Sequence, residues 1–133
     1  MIIKIDHIGI AVSSLEEAVK LFCNVLGCSP EIVKRETNEE QKVKVAMLPV
    51  GESHIELLES TDPEGVIAKF ISKRGEGIHH IAIGVSDVKV MLEVLKKKAI
   101  PLVDAEPKAG AGGSKTAFLH PKATKALIEL VEH

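Results

Sequence analysis

The chain has 133 residues and a formal net charge of −2 at pH 7. Hydrophobic residues make up 45% and charged residues 27% of it, the balance of a folded domain rather than of a disordered one. A charge so close to zero gives no support to a nucleic acid or an anionic membrane as partner. No apolar run reaches membrane-spanning length and no signal peptide is recognisable, so we expect a cytoplasmic protein.

The first half of the sequence predicts one strand, one helix and three further strands. Residues 3–12 alternate in hydrophobicity, as a half-buried strand does. Ser14 and Glu17 form a capping box, after which apolar residues at helical spacing predict an amphipathic helix that ends at Gly27. Cys23, in this helix, and Cys28 are too few for a zinc site and are interpreted as ordinary thiols. Further strands are predicted near 30–36, 42–49 and 53–59.

The second half repeats this order after a short linker. Asp62-Pro63 opens a predicted helix that ends near Gly75. The hydrophobic pattern that follows predicts a strand over 78–85 and a helix over 87–98. Three shorter strands are predicted near 101–104, 115–119 and 126–131.

The two halves are also related residue by residue at one offset. DHIGIAVS at 6–13 returns as HHIAIGVS at 79–86, which is 73 residues later. HIEL at 54–57 returns as LIEL at 127–130 with the same offset. One offset at both ends of the unit indicates duplication.

The sequence therefore predicts an α+β fold made of two paired βαβββ modules. We expect one domain, 1–133, with curved mixed sheets that enclose a metal site. Module 1 covers about 1–60, the linker helix about 62–75 and module 2 about 76–133.

Four residues stand at equivalent positions of the two predicted modules. His7 and His80 lie in the first strands, and Glu56 and Glu129 in the last. A carboxylate in an otherwise apolar strand is costly to bury unless it is paired or bound to a metal. Two imidazoles and two carboxylates together suit one divalent first-row ion with open positions for a substrate. A duplicated network of buried salt bridges would produce the same pattern.

These stretches resemble the vicinal oxygen chelate superfamily and, more narrowly, the methylmalonyl-CoA epimerase family. The narrower resemblance is carried by HHIAI at 79–83 and FLHPK at 118–122, and the similarity covers almost the whole chain. It implies that the metal ligands are His7, Glu56, His80 and Glu129. It also implies one ion per chain, cobalt first, with manganese, nickel, zinc or magnesium as alternatives.

The resemblance further implies a reaction. The expected activity interconverts (R)- and (S)-methylmalonyl-CoA by removal and return of the α-proton through a metal-stabilised enolate. Glu40, in the stretch EQKV, matches the position of the family's proposed base, although Lys42 stands where the family has glycine. A solvated acidic patch would equally explain Glu40. Position 113, its repeat equivalent, is glycine, so a second acid must lie elsewhere.

The expected partners are an acyl-CoA and a second copy of the chain. Lys115, which follows a Gly-Gly-Ser stretch, and Lys122 are candidates for the phosphates of coenzyme A. The homodimer rests on the resemblance alone. Three alternatives remain open: a glyoxalase-like lyase or isomerase, an Fe(II) ring-cleaving dioxygenase, and a metal-free drug-sequestering module.

Overall fold

The computed structural model describes the whole chain, Met1–His133, and its elements follow the predicted βαβββ order twice. No helix combines the length and the apolar character needed to cross a bilayer. The first copy consists of β1 (Ile2–Ala11), α1 (Leu15–Leu26), β2 (Lys34–Asn38), β3 (Val43–Val50) and β4 (Ser53–Ser60), followed by α2 (Val66–Arg74). The second copy consists of β5 (Gly77–Val85), α3 (Val88–Lys97), β6 (Lys108–Ala109), β7 (Lys115–Leu119), the one-turn α4 (Pro121–Thr124) and β8 (Ile128–Glu132).

The chain packs as two compact units. One unit, the 8–79 unit, is continuous, and the other, the 80–133 unit, also includes Met1–His7. Both β1 and β5 therefore contribute residues to both units. Each unit has its own apolar core.

In the 8–79 unit, antiparallel pairing joins β2 to β3 and β3 to β4. The end of the unit's β1 segment borders β4, where the Val12 amide donates to the Leu58 carbonyl at 2.9 Å. Helix α1 presents apolar side chains to this sheet, because its apolar residues recur at helical spacing. The core beneath α1 consists of Val12, Leu15, Val19, Cys23, Val33, Ala46, Leu48 and Leu57.

In the 80–133 unit, β5 pairs with β8 in parallel, and β8 pairs with β7 antiparallel. Helix α3 covers this sheet, and its apolar positions again face inwards. The core consists of Val85, Val88, Leu92, Ala117, Leu119 and Leu130.

The duplication extends to the contacts that hold the starts of α1 and α3. Glu59 Oε1 accepts a hydrogen bond from the Leu15 amide at 2.7 Å. In the second copy, Glu132 Oε1 accepts one from the Val88 amide at 3.0 Å. Both pairs keep the offset of the sequence repeat. The last strand of each copy therefore satisfies a helix amide that has no partner within its own helix.

The prediction of a strand over 101–104 is wrong. This segment forms only one isolated bridge, from Leu102 to Leu119, and the short β6 follows at Lys108–Ala109. Buried Asp104 interrupts the ladder, because its carboxylate accepts the Phe118 amide at 2.9 Å. A side chain thus replaces the backbone carbonyl that a regular neighbouring strand would supply. Adding the repeat offset of 73 to the observed bounds of β2, Lys34–Asn38, gives 107–111, a range that includes β6.

Candidate metal centre

Three donor atoms converge within the 80–133 unit. His7 Nε2 lies 3.1 Å from His80 Nε2 and 3.0 Å from Glu129 Oε1. His80 Nε2 lies 3.2 Å from the same carboxylate oxygen. Two imidazoles and one carboxylate, brought from three strands, thus form a nearly equilateral triangle of potential ligands.

Strand pairing explains why these side chains meet. Glu129 of β8 is the register partner of Ala82 in β5. His80 lies two residues before Ala82, so its side chain is on the same face of β5. On the other side of β8, Glu129 pairs with Phe118, whose ring stands edge-on to the His80 ring at 5.4 Å. Phe118 thereby forms an apolar wall beside the donors, a role that hydrophobic periodicity alone does not predict.

The three donors are buried, and this shapes their electrostatics. His7, His80 and Glu129 are only 6%, 4% and 6% exposed. Glu129 Oε1 has no hydrogen-bond partner despite its closeness to the two imidazoles. Burial acts to raise the pKa of Glu129, but the two imidazoles outweigh burial and lower it to about 2. The carboxylate is therefore ionised at neutral pH, the form in which it binds a cation.

Behind this triangle lies a second carboxylate, Asp6. It accepts a hydrogen bond from His7 Nδ1 at 2.8 Å and another from His133 Nε2 at 2.7 Å. Burial acts to raise the pKa of Asp6, but these imidazole contacts lower it to about 2. When His7 is neutral, Asp6 holds the proton on Nδ1, and the lone pair on Nε2 is then available to a cation. This is the carboxylate–histidine arrangement that orients metal-binding imidazoles.

The spacing of the donors fits a divalent ion. An ion bound at about 2.1 Å separates neighbouring donors by about 3.0 Å in an octahedral shell and about 3.4 Å in a tetrahedral one. The observed separations of 3.0, 3.1 and 3.2 Å are short enough for the three atoms to bind one shared divalent ion.

The other predicted ligand, Glu56, lies in β4 of the 8–79 unit. It is 8% exposed and is the register partner of Met47 in β3. Its neighbours Leu57 and Leu58 are also buried. Glu56 is thus a buried carboxylate within an apolar strand, and its role as a ligand stays a prediction.

Glu40 lies in the exposed turn between β2 and β3. The Gln41 amide donates to Asn38 Oδ1 at 2.9 Å, which closes the turn. Lys42 has φ 57°, in the left-handed region that favours glycine, so the turn keeps this conformation with a lysine. Lys42 is also tied to Asp62, with Nζ 3.1 Å from Oδ2.

The remaining candidates lie on the surface or serve local structure. His79 packs its ring edge-on to Phe70 at 4.9 Å within the 8–79 unit. His120 follows β7 directly, and its Nδ1 accepts a hydrogen bond from the Lys122 amide at 3.0 Å. Lys115 and Lys122 are both exposed. Asp6 and His133, by contrast, belong to the site although the sequence analysis does not identify them. An aspartate directly before a candidate histidine ligand is a signal that could have identified Asp6.

Replacing Asp6 with asparagine should lower divalent-ion affinity by about 10- to 100-fold, the usual effect of losing a carboxylate behind a metal-binding histidine. The amide keeps the size of Asp6 but loses its charge and can present a donor to His7. Isothermal titration with Co²⁺ would measure the change. Asp87→Asn is the matched control, since Asp87 caps α3 through the Val90 amide and asparagine caps equally well. Equal affinities in the two variants would contradict a role for Asp6.

An α+β domain with duplicated βαβββ modules and paired histidines in their first strands defines the class of vicinal oxygen chelate proteins. The model of the Glyoxalase/Bleomycin resistance protein/Dioxygenase superfamily matches residues 6–118. The chain belongs to this superfamily. The resemblance recognised in the sequence, and with it the α+β fold class, is confirmed.

Individual relatives agree with this assignment. The uncharacterised protein YqjC of Bacillus subtilis (strain 168) is 39% identical over 97% of this chain and 91% of its own length. The ethylmalonyl-CoA/methylmalonyl-CoA epimerase of Cereibacter sphaeroides is 36% identical over 92% of this chain and 91% of its own. A structure of methylmalonyl-CoA epimerase in complex with methylmalonyl-CoA and NH₄⁺ is 38% identical, with a TM-score of 0.92 over 99% of this chain and 95% of that one.

Proposed function

We propose that this chain is a metal-dependent epimerase that interconverts (R)- and (S)-methylmalonyl-CoA. The observation that carries the proposal is the buried triangle of His7, His80 and Glu129. It occurs in a chain 38% identical to an epimerase whose structure contains methylmalonyl-CoA. A glyoxalase-like activity of the same superfamily is the competing outcome of the test below.

Glu56 is proposed as the fourth ligand, and cobalt ahead of manganese, nickel, zinc or magnesium as the ion. Glu56 is the repeat equivalent of Glu129, and like Glu129 it is buried in an apolar strand. A carboxylate that is held away from water needs a positive partner. Carboxylates are ligands that divalent cations accept, and the equivalent positions of Glu56 and Glu129 in the duplication support one shared ion.

When bound, a divalent cation supplies Lewis-acid stabilisation of the negative charge that develops on substrate oxygens as the α-proton leaves. The chain itself orients the imidazoles and shields them from water. Asp6 holds His7 in one orientation, and Phe118 shields the side of His80 from water. Charge stabilisation is stronger in such a water-poor environment.

Proton transfer needs groups outside the triangle. The α-proton of methylmalonyl-CoA lies between a thioester and a carboxylate, which makes it acidic enough for a carboxylate base. Glu40 is proposed to move this proton, since its turn keeps the left-handed conformation at Lys42 that the family's glycine favours. Epimerisation also requires proton return on the opposite face, and glycine at position 113 shows that no repeat copy of Glu40 does this.

The coenzyme A portion is proposed to bind near Lys115 and Lys122. Both ammonium groups are exposed, and Gly112 and Gly113 adopt φ of 66° and 77° just before Lys115. Consecutive backbone amides in such turns form concave anion sites. We also propose a homodimer, which sedimentation at micromolar concentration would test.

Incubation of the Co²⁺-loaded chain with (S)-methylmalonyl-CoA in deuterated water should give both epimers with deuterium at the α-carbon. Removal of the metal by a chelator should abolish this exchange, and added Co²⁺ should restore it. Mass spectrometry of the recovered thioester measures both effects. Turnover of the glutathione–methylglyoxal hemithioacetal without α-proton exchange in methylmalonyl-CoA would refute the proposal in favour of a glyoxalase-like activity.

A further inference from the structure

The two thiols of the chain are in direct contact at the end of α1. The Cys28 thiol donates to Cys23 Sγ, with the two sulfur atoms 2.8 Å apart. Gly27 brings the chain round, since it ends the helix with φ 75°. The Cys28 amide also bonds to the Cys23 carbonyl at 2.9 Å, which fixes the backbone of the two residues together. The contact is therefore part of the helix end and does not depend on a flexible loop.

The two cysteines differ in their surroundings. Cys23 is 2% exposed and belongs to the core that includes Val19, Val33 and Leu57. Cys28 is only partly buried and lies at the surface end of the pair. The close contact with the Cys28 thiol, together with burial, raises the pKa of the Cys23 thiol to about 11. An oxidant arriving from solvent thus meets Cys28 first, with Cys23 behind it.

We propose that Cys23 and Cys28 form a redox-active dithiol that closes to an intramolecular disulfide when the chain meets a hydroperoxide. A disulfide requires sulfur atoms about 2.05 Å apart. The present contact is 2.8 Å, so closure needs less than 1 Å of movement, which the partly exposed Cys28 can supply. No other cysteine competes for either thiol, because the chain has only two.

The chemistry follows the first rungs of cysteine oxidation. The Cys28 sulfur attacks one oxygen of hydrogen peroxide, the O–O bond breaks, and the departing hydroxide takes up the thiol proton as water. This leaves a sulfenic acid on Cys28. The Cys23 sulfur then attacks the Cys28 sulfur, the S–O bond breaks, and a second water leaves with the Cys23 proton. Two thiols are oxidised and one peroxide is reduced to two waters.

The site resembles known redox sensors in one physical respect: an accessible cysteine is paired with a resolving cysteine. In a reducing compartment such a disulfide forms transiently and reverts by exchange with small thiols. The inference is independent of the metal centre and of the proposed reaction, since neither cysteine is a proposed ligand or the proposed base; Cys23 belongs to the core beneath α1, and Cys28 packs against it.

The test uses the full-length chain, reduced and then treated with one equivalent of hydrogen peroxide. The intact mass should fall by about 2 Da as two hydrogens are lost. Both thiols should disappear from titration, and a proteolytic peptide should link Cys23 to Cys28. Dithiothreitol should restore the starting mass.

Two variants separate the steps. Cys23→Ser should accumulate a sulfenic acid on Cys28 that a β-diketone reagent traps, whereas Cys28→Ser should react at least about tenfold more slowly than the unmodified chain. Persistence of both thiols in the unmodified chain would overturn the proposal, as would products that are only intermolecular disulfides or sulfinic acids. Because that readout needs no substitution, it holds even if a variant at buried Cys23 folds poorly.

Discussion

Replacing His80 with alanine should remove most of the divalent-ion affinity of this chain, from about one ion per chain to a small fraction of that under matched conditions. The imidazole supplies one corner of the donor triangle, 3.1 Å from His7 Nε2 and 3.2 Å from Glu129 Oε1. Without this imidazole, only His7 and Glu129 remain of the three donors. Elemental analysis after equilibrium dialysis against Co²⁺ would measure the loss.

His79→Ala is the matched control for this experiment, because it makes the same chemical change one residue earlier. The His79 ring packs against Phe70 and takes no part in the triangle. This control should keep its metal, and circular dichroism should show both variants folded. Equal metal content in His80→Ala and the unmodified chain would refute the site.

Glu40→Gln should lower turnover by about two to four orders of magnitude while metal content stays near stoichiometric. Glutamine keeps the size and hydrogen bonding of glutamate but cannot accept the α-proton. If the opposite-face acid survives, one epimer should still exchange its α-proton with deuterated water, at least partly, while interconversion stalls. Steady-state rates with methylmalonyl-CoA and deuterium incorporation would measure the two effects separately.

The neighbouring Glu39→Gln serves as control, since Glu39 is exposed in the same turn and undergoes the same loss of charge. It should retain the unmodified rate. A Glu40→Gln variant that epimerises at the normal rate would show that Glu40 is not the base and is only part of the acidic surface patch. The base would then have to be sought elsewhere, with Glu129 the first candidate.

Local patterns in the sequence determined most of the elements and the pairing of the candidate ligands. Alternation placed His7 and His80 in strands, and helical spacing with caps placed α1 and α3 within one or two residues. These patterns are local because they reflect which face of a strand or helix is buried. They failed at 101–104, where the long-range contact between Asp104 and the Phe118 amide displaced a strand pairing.

The duplication in the sequence also determined that equivalent residues recur, but not how far apart their atoms lie. Only the parallel pairing of β5 with β8 decided that Glu129 stands beside His80. His133 is 127 residues from Asp6 in the sequence, and only folding brings its Nε2 within 2.7 Å of Asp6 Oδ1. No local sequence pattern therefore predicts the hydrogen bonds that hold Asp6 and, through it, His7. Likewise, the five-residue spacing of Cys23 and Cys28 does not predict that their thiols are in contact. The contact depends on the left-handed conformation of Gly27, which ends α1 and places the two sulfur atoms side by side. In each case the deciding distance depends on backbone pairing or a turn, which hydrophobic periodicity does not encode.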